Sequence, residues 1–428
     1  MINYVLPFAL LTLFTPFKSS IGFAQVRPFD VCVFLMMVYL LIQLRALRSA
    51  PLSLGLVMLL PFYAIHVASA FSYDSINGLR EAFQIGLLIS FAFFVVTFSD
   101  RIDYPKVGRV LLVGLICIML FNIGWHIENG FWSGWKRLID PKAAFTFLSM
   151  LLAVLLLFSN GRERRIYWVI FGLVGVAILF SGERKALGVY ALLVTMLLSR
   201  GRLVSALPIL AIGFFGLVLF GSLSDDPYVA RQIRTVLEPG TGQLPLAAIA
   251  AGEMPESISD ASRQFTVDQA KAIVQTYPVF GIGTNAYLDR LNMKFSFLPK
   301  FMIAGVHGEF LRTLVENGVV GFLAYLSIWA VAFSQILKTL RVLVKAGRLS
   351  VLQAEILPLI LLLPPAFYVG FEASGTRVFV TGMLVSLMPN LLYWGVTTTN
   401  RKRAVNTVKM KARAIEFVPP ELMRGRQE

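Results

Sequence analysis

The sequence predicts an all-α polytopic membrane protein, with about twelve transmembrane helices and one large outer loop between the ninth and tenth. Three observations carry this. The 428 residues are 57% hydrophobic and 15% charged, with a mean hydropathy of +0.73, whereas a soluble domain averages roughly a quarter charged residues. Apolar runs long enough to span a bilayer recur along the chain. Basic residues gather in the connections between alternate runs, as topology signals do.

The first run, MINYVLPFALLTLFTPF, has no basic leader and no small-residue cleavage site, so it reads as a retained first span. The spans expected are 2–17, 28–44, 51–71, 82–98, 109–125, 143–158, 166–181, 185–199, 203–221, 318–337, 351–371 and 376–395. With the N-terminus cytoplasmic, every inner connection is basic, from Arg45 and Arg48 through Arg162, Arg164 and Arg165 to Lys338, Arg341 and Lys345. The tail adds Arg401, Lys402, Arg403 and Lys409 on the same side. The positive-inside rule therefore places both termini in the cytoplasm. This distribution also explains the net charge of +15 without nucleic acid. Cys32 and Cys117 fall within spans, so neither a structural disulfide nor a metal site is expected.

Four regions follow: spans one to nine over 1–221, the outer loop over 222–317, spans ten to twelve over 318–395, and a basic cytoplasmic tail over 396–428. The loop is far longer than an ordinary connection, which marks it as functional. Between 222 and 306 it carries eight acidic and seven basic residues. Asp226-Pro227 suits one helix start. Asp260 or Ser262 suits the cap of a second, running to about Tyr277. The stretch 242–259 between them reads as an irregular flap.

Three basic elements converge on the outer side. Arg184, with Lys185, occupies the short turn between spans seven and eight. Those spans hold only about 22–24 Å of helix against a ~30 Å hydrocarbon core, which draws the turn below the surface. A charge there is costly and marks function, or else it snorkels to end a hairpin. Arg263 opens a helical stripe with Val267, Ala270 and Val274, so it reads as facing inward. An inward arginine needs an anion, or an ion pair with Asp260 or Glu256. His307 stands where the loop re-enters the membrane and is one of three histidines in the chain. It is the side chain best suited to take a proton near neutral pH.

On a helix starting near 307, Glu309 and Glu316 point away from His307, so they form no dyad with it. Glu316 is left to orient a loop residue or to pair with an arginine. Arg80 and Glu81, between spans three and four, are further candidates to line the same cavity. His66 and His126 read as packing or hydrogen-bonding residues.

The run His307-Gly308-Glu309-Phe310-Leu311, followed by Glu316-Asn317-Gly318 and Gly321, resembles the signature of the O-antigen ligase/polymerase family. Upstream, Pro278-Val279-Phe280-Gly281-Ile282-Gly283 is similar to that family's P-x-x-G-x-G element. Arg263 stands where the preceding loop arginine is found, and Arg184 where the hairpin arginine is found. Gly308 replaces the usual Asn or Ser, and Glu183 replaces the common Ser. The resemblance covers roughly residues 165–330.

It implies a GT-C-like membrane glycosyltransferase of the bacterial inner membrane, needing no metal and no cofactor. The donor would be an undecaprenyl-diphosphate-linked saccharide. The acceptor would be a hydroxyl of a growing glycan or of lipid A-core, with a flippase and a chain-length regulator as companion proteins. His307 would be the base, and Arg184, Arg263 and Lys185 would hold the diphosphate, with Glu309, Glu316 and Arg80 in support. The hairpin form ERKAL favours a polymerase of O-antigen or exopolysaccharide repeat units over a ligase. A polytopic transporter or lipid-linked oligosaccharide flippase is the rival of another class. Such proteins carry paired broken helices or a charged lumen, which this sequence lacks.

Overall fold

The computed structural model describes residues 2–12, 19–21, 24–26, 28–42, 54–73, 76–98, 101–129, 141–181, 184–199, 258–299, 302–303, 305–306, 308–345, 347 and 349–371. The spans expected at 203–221 and 376–395, the loop before 258, the flap up to that point and the basic tail lie outside them, as does His307.

The regular structure of the described residues is helical apart from one short antiparallel hairpin, β1 (Ser19–Ile21) and β2 (Ala24–Val26). Helices α1 (Ile2–Thr12), α2 (Pro28–Ile42), α3 (Leu54–Ser72), α4 (Ile76–Thr97) and α5 (Tyr104–Asn129) come first. Next are α6 (Pro141–Phe158), α7 (Gly161–Ser181) and α8 (Arg184–Ser199). Two helices, α9 (Ile258–Thr276) and α10 (Tyr287–Lys294), precede the long α11 (Glu309–Lys345) and α12 (Val351–Phe371). Three helical stretches among the described residues are long and apolar enough to cross a membrane: 76–95, 106–125 and 309–345. The chain is that of a membrane protein.

Most buried residues are apolar and form one continuous core. Leu6, Val33, Phe91, Phe145, Val174, Val189, Ile336 and Leu357 are all buried in it. Helix α3 packs on both α4 and α11, and α12 closes against α6, α8 and α11. Helix α7 begins with the charged turn GRERR, so its apolar part keeps the length that the sequence indicates.

A second, smaller core joins α9, α10 and the loops around them to the start of α11. It holds Phe265, Ala270, Ile282, Tyr287, Leu291, Leu298, Met302, Val306 and Val315. Phe265 meets Phe295 edge to face at 5.1 Å. The Tyr287 hydroxyl donates to the Thr266 carbonyl at 2.7 Å. The described residues between 258 and 306 are thus moored to the helix that follows them in sequence.

Candidate functional site

Helix α11 is one element of 37 residues, broken once. Gly318 has φ 63° and ψ −166°, a conformation open to glycine and strained for other residues. The break releases two carbonyls and two N–H groups, and the preceding loop takes up all four. Ile282 N donates to Val315 O at 3.1 Å, and Gly283 N to Glu316 O at 2.9 Å. In return Val319 N donates to Pro278 O at 2.8 Å, and Val320 N to Val279 O at 3.2 Å. The P-x-x-G-x-G element and the E-x-G element are therefore two halves of one backbone exchange.

The exchange explains the glycines. Gly281 has φ 68°, and a Cβ there would lie 2.6 Å from the carbonyl oxygens of Val315 and Glu316. Gly283 has φ 103°, and a Cβ would lie 2.7 Å from the ring of Tyr73. A Cβ on Gly318 would collide with the Val279 carbonyl. All three positions require a bare Cα.

Side chains from α3 and from Tyr73 just after it complete the junction. The Tyr73 hydroxyl donates to Gly281 O at 3.1 Å, and Thr284 N donates to Ser69 Oγ at 2.9 Å. Thr284 Oγ1 donates to Asn317 Oδ1 at 2.9 Å. Asn317 Nδ2 lies 3.3 Å from His66 Nε2, and His66 Nδ1 lies 2.9 Å from Phe62 O. An amide nitrogen can only donate, so Nε2 accepts and Nδ1 carries the proton to the Phe62 carbonyl. His66 is fully buried and is the hydrogen-bonding residue expected.

Beside this junction lies the residue that sequence reading missed. Arg312 is buried, and its guanidinium faces three carboxylates. Nε donates to Glu316 Oε1 at 3.0 Å, and Nη2 donates to Glu81 Oε2 at 3.2 Å. Glu309 Oε1 stands 3.8 Å from Nη1. Nη2 also donates to Asn285 Oδ1 at 3.2 Å. A buried charge needs such partners, because desolvation without them is prohibitive. The spacing 309, 312, 316 on one helical face was a signal available in the sequence. It resolves the alternatives for Glu316, which pairs with an arginine.

Helix α11 starts at Glu309, and Arg312 N donates to Gly308 O at 3.0 Å. Gly308 has φ 102°, which favours glycine at the position where Asn or Ser is usual. Arg80 is half-buried on α4 next to Glu81.

Arg263 corrects the expectation of an inward-facing arginine. It is exposed, while Ser262, Phe265, Thr266 and Ala270 are the buried face of α9. The apolar stripe misled because two polar residues are buried. Thr266 Oγ1 donates to Ser262 O at 2.8 Å, and Ser262 Oγ to Met302 O at 3.3 Å. These bonds make burial affordable and rotate the helix, turning Arg263 to solvent. Arg184 and Lys185 open α8 in the backbone, and their side chains lie outside the described residues.

Residues 169–326 match the family model described as O-Antigen ligase. The matched region takes in Arg184, Lys185, Arg263, the glycine loop, His307, Arg312 and the helix break. No curated protein is matched.

Proposed function

We propose that this chain, whose residues 169–326 belong to the O-antigen ligase/polymerase family, polymerises lipid-linked repeat units on the outer face of the bacterial inner membrane. The family is one of glycan-processing enzymes acting on lipid-linked glycans and acceptors. The finer reading takes undecaprenyl diphosphate as the carrier and a hydroxyl of a neighbouring repeat unit as the nucleophile. The observation that carries it is the family match over a region containing the histidine, both arginines and the two glycine motifs in order.

In this reading residues 222–317 form an outer loop, and both termini are cytoplasmic. The acceptor oxygen attacks the anomeric carbon, and the bond from that carbon to the diphosphate oxygen breaks. His307 takes the proton of the acceptor hydroxyl. The diphosphate leaves with the bonding electron pair, and its developing charge falls on Arg184 and Arg263, with Lys185 assisting. Exposed Arg263 would meet this anion from the solvent side. Arginines in this role supply the charge that a divalent ion supplies in other glycosyl transfers. Glu309, Glu316 and Glu81 act on Arg312 and support the helix that follows His307, instead of handling substrate.

A second reading within the family is ligation of a finished glycan to lipid A-core, favoured by the description of the matching family model itself. Deleting the gene in its host and analysing surface and membrane glycans separates the two. Single repeat units, restored to long chains only by the wild-type protein, identify a polymerase. Full-length chains stranded on the carrier identify a ligase. Restoration by His307→Ala rejects the catalytic reading.

A further inference from the structure

The glycine loop bonded to α11 also presents an apolar surface to the outside of the molecule. Phe280 is 68% exposed and Val279 51%, although both sit at the close backbone junction with Gly318. Their exposure continues onto α11, where Val319, Val320 and Leu323 are exposed in turn. On the other side Tyr277 is capped by Arg290, whose guanidinium lies 4.6 Å from the ring centroid and donates to the hydroxyl at 3.3 Å.

The position along α11 fixes the depth. Lys338, the first basic residue after Gly318, is exposed on α11 and marks the inner boundary of that span. A hydrocarbon core of ~30 Å corresponds to about 20 helical residues. Counting back about 20 residues from Lys338 reaches Gly318, where Pro278 and Val279 are hydrogen-bonded. The loop therefore stands at the level of the opposite boundary.

Irregular backbone is tolerated at that depth only when its polar groups are satisfied by protein. Here Pro278 O, Val279 O, Gly281 N, Ile282 N and Gly283 N all have backbone partners. An arginine stacked on a tyrosine beside two bare apolar side chains is the composition of a headgroup boundary.

We propose that the turn Pro278–Phe280 is a re-entrant wedge, with Val279 and Phe280 inserted among the acyl chains of the outer leaflet. Phospholipid is its occupant, because its surface continues the lipid-facing side of α11. The wedge rests on the reading of 222–317 as an outer loop. It sets the hydrogen-bond exchange, and the start of α11 above it, at the membrane surface, where a lipid-borne diphosphate is presented.

The test uses full-length protein in phosphatidylcholine–phosphatidylglycerol vesicles. A nitroxide is attached at Phe280→Cys in a Cys32→Ala/Cys117→Ala background, and its relaxation by oxygen is compared with that by a water-soluble nickel chelate. Leu323→Cys supplies the lipid-facing reference, and Lys271→Cys, exposed on α9, the aqueous one. The expected result is an oxygen-to-nickel ratio at 280 severalfold above that at 271 and close to that at 323. A ratio equal to that at 271 overturns the wedge. So does poor access to both reagents, which means a protein surface covers it. If Phe280→Cys does not fold, Val279→Cys is read by the same criteria. No substrate is present, so active His307→Ala would reject the catalytic reading and leave this result untouched.

Discussion

Arg312 Nε reaches Glu316 Oε1 at 3.0 Å across one turn of α11, and the next residue but one, Gly318, is where that helix breaks. The same guanidinium reaches Glu81 on α4 at 3.2 Å and Asn285 in the glycine loop at 3.2 Å. One buried cation thus joins a helix start, a second helix and a loop. Replacing it leaves two buried carboxylates and the half-buried Glu81 without their shared cation.

Arg312→Met should therefore cost about 3–5 kcal/mol, the range for breaking a buried pair from one side. Arg312→Lys should recover part of this, since an ammonium keeps the charge but not the planar fork. Thermal unfolding of the purified protein checks both. Equal midpoints for Met and wild type would show that the cluster contributes nothing to stability.

The break itself makes a second prediction. Gly318→Ala places a Cβ at φ 63°, which costs roughly 1–2 kcal/mol for the backbone alone, and the collision with the Val279 carbonyl adds to that. The expected variant is destabilised and transfers glycan poorly. Gly347→Ala, at the same φ of 63° but with nothing within 4 Å of an added Cβ, should lose only the backbone part. A matching loss in both variants would mean that the close approach of the loop has no weight.

Hydropathy made much of this fold legible, because apolar runs of membrane length leave few alternatives to helix. The end of α9 at Thr276 and the start of α11 near the loop's return were likewise readable from local pattern. The site was legible only where its signal is local. The spacing of Glu309, Arg312 and Glu316 was a local signal that sequence reading passed over, whereas Glu81 lies 231 positions from Arg312 and nothing in the local pattern joins them. The exchange at Gly318 was hidden because backbone partners leave no trace in side-chain identity beyond glycine. Arg263 was misassigned because hydropathy cannot foresee that Ser262 and Thr266 are buried with their hydroxyls satisfied.

Asn317 links three elements through one amide, and the third prediction concerns it. Asn317→Leu keeps volume but leaves Thr284 Oγ1 and His66 Nε2 without their amide partner in a buried site. An unsatisfied buried group costs about 1–3 kcal/mol. Asn317→Asp keeps the acceptor for Thr284 but buries a charge next to an acceptor nitrogen. Both should lower the unfolding midpoint, with Asp the lower if it stays ionised. A Leu variant as stable as wild type would mean that the network only fills space.

Tyr287 supplies a test by pH. Its hydroxyl is buried in the smaller core and donates to Thr266 O at 2.7 Å, and burial raises its pKa above the usual tyrosine range. The folded protein therefore holds this proton after the unfolded chain has released it. Stability falls with pH wherever the unfolded state binds fewer protons, so the contribution of Tyr287 is complete below about pH 10 and is lost above it. Tyr287→Phe removes the group that titrates. It should lose about 1 kcal/mol at neutral pH through the missing hydrogen bond, and its unfolding midpoint should fall less steeply than wild type between pH 9 and 11. Parallel alkaline slopes for the two proteins would show that Tyr287 is not held neutral by the core around it.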